Sequence, residues 1–523
     1  MRYLIETKKS QKDYNIKKII CFISLIFFSL EIQAQSIEEL TTSEWIQDID
    51  FLQEKLYETL PQASKRIDKG LFQQKVSELK TQLSVLSAEE IIVEMQSLLA
   101  LASDNGCFIY PFQTALNFPL LPLKCYWFTD GFYVCDASEP YRHLIGKQII
   151  QVNGTDIEEI FDKLKPILPA DNEYFQRYMF SMYLQIPAWL KWADILMDKN
   201  KAVILTASGK EEEVAFSSVQ SYIPLKRELA SYGKISASNT SHKDENYWME
   251  YLPDEKTLFI QFLQISDQEK GPSFKKFVKA VSKELNSEKV ENLIIDNRYG
   301  GGGNGFKLKS FTDLIRDNKT INQKGKLFVL TSRSTRGTVL ELTSILVMNT
   351  KAILVGEPTG EGPNLVGDTK EVILPNSKIR VSLTHTFWST SFDSDIRNTI
   401  KPDRNIEYTF TDYQLGIDPW LNAVKSEKKN EIEEVIPATN VINSIVGMHS
   451  ISDRTLEIYE ENGRLYMKIE RKIKSFFELK TELYFLKEGI LSTDINEVKV
   501  YYQKNSDNEL SIKKIDWYGE ILE

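Results

Sequence analysis

The chain has 523 residues, 42% hydrophobic and 26% charged, with a formal net charge of −10. That length exceeds one ordinary core and the composition is that of a soluble globular protein, so about three domains are expected. The acidic balance and the lack of any Lys/Arg-dense face exclude a general nucleic-acid binder, so no nucleic-acid partner is expected.

The chain opens with Lys17 and Lys18 before an apolar run, IICFISLIFFSL (19–30), and then EIQAQ. A basic region, a short apolar stretch and a small residue before the cut read as a secretory signal peptide spanning 1–34, cleaved after Ala34. The run is about 12 residues, too short to cross a bilayer. Retention as an anchor is the alternative. An exported protein, periplasmic or on the cell surface, is the expectation.

Residues 37–103 carry a helical pattern, with Trp45, Ile49, Leu52, Leu56 and Leu60 on one stripe and a capping-box pair at Ser87 and Glu90. Cys125 and Cys135 flank YWFTDGFYV, a hairpin expected to turn at Asp130-Gly131. A three-residue loop would set the two cysteines opposite each other, and an exported compartment permits a disulfide there; two buried thiols are the alternative. Cys107 is left over. GKQIIQVNGTDIEEIFDKL (146–164) reads as strand, Asn153-Gly154 turn and helix, an order common in peptide-binding units of the PDZ type. The polar stretch 230–246 reads as a linker.

From 257 to 420 the pattern becomes regular. TLFIQFLQI is a strand, and PSFKKFVKAVSKEL is a helix with Phe274, Phe277, Val278, Val281 and Leu285 on one side. ENLIIDNRYGGGG, KLFVL with the helix after it, and KAILVGEPTG complete a βαβαβ order, which implies a largely parallel sheet. The charge run 425–434 reads as a solvated linker, and the short alternating strands of 440–523 as a small all-β barrel or sandwich.

Two stretches carry chemistry. Four glycines in DNRYGGGGNG follow a strand and free backbone N–H groups to approach a ligand, as in an oxyanion hole; a tight turn is the plain alternative, and no Lys-Ser/Thr follows at phosphate-loop spacing. TSRSTRGTVLE (331–341) is a strand end leading into a helix, a good seat for a nucleophile, and offers Ser332, Ser334, Thr335 and Thr338. Metal sites are not expected, since there is no HExxH and the cysteines lack zinc spacing.

The ordered motifs LIIDNRYGGGG, LFVLTSRSTRGTVLE, AILVGEPTG, VILPNSKIRVS and LGIDPWL resemble those of the carboxy-terminal processing (tail-specific) serine peptidases, the group related to the tricorn core. The resemblance covers roughly 40–420. It implies an α/β fold with a ClpP/crotonase-like βαβ peptidase core at 246–424. It also implies a helical cap at 36–105 and a β-hairpin and PDZ-like region at 106–245. The small all-β domain at 440–523 is a looser match. No cofactor is implied.

The departures fall on the reactive positions. The family's nucleophilic serine corresponds to Gly337, and its histidine base to Gly106 in SDNGCFIYP. Members using lysine instead carry it just after Gly-Glu-x-Thr, where this chain has Glu361 and Gly362. Asn297 stands for the family's leucine and Gly300 for its asparagine. Loss of both nucleophile and base implies a degenerate peptidase, in which Gly301, Gly302 and the amide of Thr338 persist as a vestigial oxyanion hole. The expected partner is an extended peptide or protein, with an intact peptidase homologue as a further one. The alternative is an active serine-type endopeptidase with relocated residues. Among His143, His242, His385 and His449, the candidate base is His385, serving Ser334, Thr335 or Thr338; an ordinary strand histidine is the plain reading.

Overall fold

The computed structural model describes residues 37–522, except 114–115, 117, 197–200, 217–244, 288, 392–394, 427–443, 452–453, 462–463, 470–478, 488, 494–497, 505–509 and 518–519. The expected signal peptide, and most of the expected linkers at 230–246 and 425–434, lie outside the described residues. Among the described residues, no helix is long and apolar enough to cross a membrane.

Helix α1 (Thr42–Thr59) buries Trp45, Ile49, Leu52 and Leu56, and Thr41 closes a capping box with Glu44 at its start. After α2 (Lys69–Gln82), helix α3 (Ala88–Ala100) opens on the Ser87–Glu90 capping box. Strands β1 (Leu123–Phe128) and β2 (Gly131–Ala137) form the hairpin, with Phe128 opposite Gly131, so the loop is the two residues Thr129 and Asp130. Cys125 therefore faces Val134, and a bulge displaces Cys135 from the register. Both thiols are buried and free, each in a different apolar cluster. Of the two readings of this pair, the structure has the buried thiols and not the disulfide: the two-residue loop and the bulge set the cysteines on opposite faces of the hairpin.

Strand β3 (Ile149–Val152) ends in Asn153 and Gly154, both left-handed at φ 49° and 78°, and Val152 pairs antiparallel with Thr155. This is the two-residue turn for which Asn-Gly is suited. Helix α4 (Ile157–Leu164) follows and buries Ile157, Ile160, Phe161 and Leu164. Then come α5 (Glu173–Tyr183) and the paired strands β4 (Lys201–Thr206) and β5 (Glu211–Ala215).

The second half holds a six-stranded sheet. Its strands are β6 (Tyr247–Leu252), β7 (Thr257–Phe262), β8 (Asn292–Asp296), β9 (Leu327–Thr331), β10 (Ile353–Gly356) and the short pair Arg404–Asn405, side by side in chain order. All neighbours are parallel except β6 and β7. Helices α6 (Phe274–Leu285), α7 (Leu308–Asp317) and α8 (Gly337–Asn349) make the crossovers. Strands β7, β9 and β10 are buried along their whole length, as a sheet covered on both faces requires. The carboxyl ends of β7 to β10 line up at Phe262, Asp296, Thr331 and Gly356, the edge at which open α/β sheets build sites.

A long hairpin, β11 (Asn364–Ile373) and β12 (Arg380–Ser389), packs Val366, Val372, Val381 and Leu383 into the core of the N-terminal half. It thus forms one wall over the sheet edge. Its turn is held by the fully buried Asp48 of α1, which accepts from the Asn376 and Ser377 N–H groups at 2.8 Å each. The last eight strands, Gly447 to Leu522, pair sequentially and antiparallel in one sheet. Its buried Leu456, Ile458, Met467 and Phe485 join the same cluster as Leu342 and Ile345 of α8.

Because Asp48 satisfies two buried amides across the chain, Asp48→Ala is expected to lower stability by about 2–4 kcal/mol. Urea unfolding followed by tryptophan fluorescence measures it, and limited proteolysis should cut first near 374–379.

Candidate functional site

The turn after β8 begins with an ion cluster. Asp296 at the strand end is fully buried, and Arg298 two residues on is 1% exposed. The Arg298 Nε and Nη2 donate to the two Asp296 carboxylate oxygens at 2.9 Å, and Nη1 donates to Asp418 Oδ2 at 2.9 Å. This bidentate pairing bends the chain back and aims the Arg298 carbonyl at the segment after β9. There the Ser334 hydroxyl donates to it at 2.7 Å, the Ser332 hydroxyl donates to it as well, and Thr335 Oγ1 donates to the Asn297 carbonyl at 2.9 Å. The three hydroxyls of Ser332, Ser334 and Thr335 are therefore buried struts between two loops.

Gly337 starts α8 at the position expected for a nucleophile. Its φ is +54°, and a Cβ there would lie 3.2–3.3 Å from the backbone of Gly301 and Gly302. Its N–H donates to Glu361 Oε2 at 2.6 Å. Glu361 is 2% exposed, and its other oxygen accepts from the Asn105 side chain. A carboxyl thus stands at the position where the sequence resemblance led a lysine to be expected. Burial pushes the Glu361 carboxyl up to about 7, against the pull of the Gly337 N–H and the Arg336 guanidinium.

Gly106, the expected base position, has no room for a side chain: a Cβ would come within 2.3 Å of the Thr384 methyl. Asp104 beside it is buried, and its Oδ1 accepts from the Gly106 N–H at 2.9 Å and the Thr384 hydroxyl at 3.0 Å. Desolvation raises the Asp104 pKa despite Arg66 nearby. Asp171 takes the Asn105 N–H at 3.2 Å, and its pKa is raised by burial and by the charges of Asp104 and Glu361. The buried Cys107 thiol lies 3.3 Å from Thr384 Oγ1, and burial holds it in the neutral form. Carboxyls thus occupy the region where a serine and its base were looked for.

Of the three amides expected to form an oxyanion hole, those of Gly302 and Thr338 are directed at no backbone carbonyl among the described residues, while the Gly301 N–H is taken by the Leu263 carbonyl at 3.0 Å. Gly301 is therefore not free to donate to a ligand. The Arg336 guanidinium stands over Gly301 and lies 5.6 Å from the Phe175 ring centre. His385 is exposed on β12, its Nδ1 3.0 Å from Thr386 Oγ1, and no hydrogen bond joins it to Ser334. Among the described residues no cluster of three or more His, Cys, Asp or Glu is arranged to hold a metal.

Sequence reasoning did not single out Glu341, one turn into α8. It is 4% exposed, and a Cβ on Gly305 would lie 2.7 Å from its Oε2. Burial, then the negative charges of Asp368 and Glu361, push it up to about 8. The available signal was a lone glutamate in GTVLELTSILVMN, an otherwise uncharged helix.

No family model matches the sequence, and no curated protein matches it. Solved structures do. Mature CPAF, solved in complex with lactacystin, superposes with a TM-score of 0.50 at 13% identity, over 73% of this chain and 97% of that one. The photosystem II D1 C-terminal processing protease aligns over 70% of this chain and 94% of that one, at 13% identity and a TM-score of 0.34. The tricorn protease aligns over 74% of this chain and 36% of that one, at 12% identity and 0.33. At such identities the likeness to CPAF establishes a shared fold.

Two outcomes follow from the buried charges. Removing the Arg298 side chain strands Asp296, so Arg298→Ala should cost about 3–5 kcal/mol in chemical denaturation. Glu341 has an ordinary pKa of 4.5 and is raised to about 8 in the fold. Its stabilising contribution is therefore complete below about pH 4.5 and lost as pH rises through about 8. Glu341→Gln, which mimics the neutral acid, should gain about 2–5 kcal/mol over the parent at pH 9 and little at pH 5. Thermal melts from pH 5 to 9 measure this, and parallel curves would refute it.

Proposed function

We propose that this chain is an exported, catalytically degenerate tail-specific peptidase-like protein that acts by binding an extended peptide or protein. The observation that carries the reading is Gly337. The nucleophile position has no side chain, and its N–H is tied to Glu361 where a base would be needed. A triad without its nucleophile loses about 10^6 in rate. The Thr384 methyl at Gly106 and the struts formed by Ser332, Ser334 and Thr335 point the same way.

In this reading 36–105 is the cap, 106–245 includes a PDZ-like unit, 246–424 is the ClpP/crotonase-like core and 440–523 is a small appended all-β domain that offers a surface to an intact peptidase homologue. The peptide would add as a strand. In the three-stranded sheet β12 lies between β11 and the short strand Phe108–Ile109, so β11 is an edge, and it is exposed over 368–371. Edge addition supplies main-chain hydrogen bonds that do not depend on chemistry at the elbow. The periplasm or cell surface is the proposed location.

Intact-mass spectrometry after incubation with a broad fluorophosphonate, with an unfolded-casein digestion alongside, tests the reading. The expected result is no adduct and no cleavage. An adduct mapped to Ser332, Ser334, Thr335 or Thr338 would instead establish the active endopeptidase with a relocated nucleophile.

A further inference from the structure

Glu341 is anomalous on energetic grounds. It is 4% exposed, yet no hydrogen bond or ion pair to either of its carboxyl oxygens is found among the described residues. Every influence on it is unfavourable to charge: loss of water, Asp368 on β11, and Glu361. A buried carboxyl with neither donor nor cation is costly and is rarely kept without compensation. Its side chain is buried, but its carboxyl oxygens are not among the fully enclosed unpartnered atoms, so a positive charge can approach them from outside.

The surroundings indicate what would bring one. Glu341 Oε2 lies under Gly305, at the end of the exposed glycine loop Gly302–Asn304. Phe306, the next residue, is 62% exposed and meets the Trp388 ring edge-on, with centroids 5.6 Å apart. The Trp388 indole N–H donates to Asp368 Oδ2 at 3.2 Å, which brings a second carboxylate to the aromatic pair. Two aromatic rings beside two carboxyls, one of them buried and unpaired, match the needs of an alkyl-ammonium or guanidinium group: apolar cover for the stem, π-faces and a counter-charge for the head.

We propose that this recess between the glycine loop, the start of α8 and the β11–β12 hairpin receives a lysine or arginine side chain of the bound segment, with Glu341 as its counter-charge. The inference rests on the peptide-binding reading and gives it a sequence preference. A segment added to the edge of β11 would run alongside Asp368, and alternate side chains of an added strand face one side. The cation releases the proton that Glu341 otherwise holds, so no further group is required.

The test uses the full chain and randomised octapeptide libraries with one fixed internal position: arginine, citrulline, leucine or glutamate. Citrulline keeps the shape of arginine and removes its charge. The expected result is retention of the arginine library about tenfold over the citrulline library, with glutamate lowest, and loss of that ratio in Glu341→Gln and its reduction in Trp388→Leu. Equal retention of arginine and citrulline libraries by the parent protein overturns this inference and leaves the peptide-binding reading standing. Retention of none of the four overturns both. The comparison within the parent protein stands even if a variant fails to fold, and an undiminished arginine preference in a folded Glu341→Gln also refutes the assignment.

Discussion

The buried guanidinium of Arg298 is the constraint on which the sheet edge depends. It joins the strand that precedes it, through Asp296, to Asp418 after the last core strand. In doing so it aims its own carbonyl at the elbow after β9, where two hydroxyls converge on it. The ion triple is dry, so its value lies in fixing one arrangement of two loops rather than in net Coulomb gain, since desolvation offsets much of that gain. The glycine loop and the start of α8 are positioned by this arrangement whether or not chemistry takes place between them.

Backbone geometry and single side chains contribute to this edge separately. An exposed sheet edge, the Gly302 and Thr338 amides and the aromatic pair Phe306 and Trp388 rest on backbone geometry and packing. Reactive parts rest on single side chains. At Gly337 and Gly106 the neighbours close in: Glu361 takes the Gly337 N–H, and the Thr384 methyl lies where a Cβ of residue 106 would stand. The site gathers the buried carboxyls of Asp104, Glu341 and Glu361, with the Arg336 guanidinium and Arg66 beside them.

What the sequence by itself determined was whatever depends on local periodicity or on a residue's own conformational preference. The α1 stripe from Trp45 to Leu56, the Ser87–Glu90 cap, the Asn153-Gly154 turn and the βαβ order of the central sheet all follow from spacing and from glycine or asparagine chemistry. So does the absence of a hydroxyl at position 337, because a missing side chain needs no structure to be noticed.

Only the tertiary structure decided the rest, because it concerns residues far apart in the chain. A two-residue loop and one bulge turned Cys125 and Cys135 away from each other, a shift of register invisible in a hydrophobic pattern. The hydroxyls of Ser332 and Ser334 became struts only because Arg298 brings its carbonyl to them, and that of Thr335 because Asn297 brings its own. Glu341 and Glu361, twenty residues apart in the chain, acquired near-neutral pKa values when the fold buried both at one sheet edge. Burial and through-space charge are properties of the packed chain, and no local window of residues contains them.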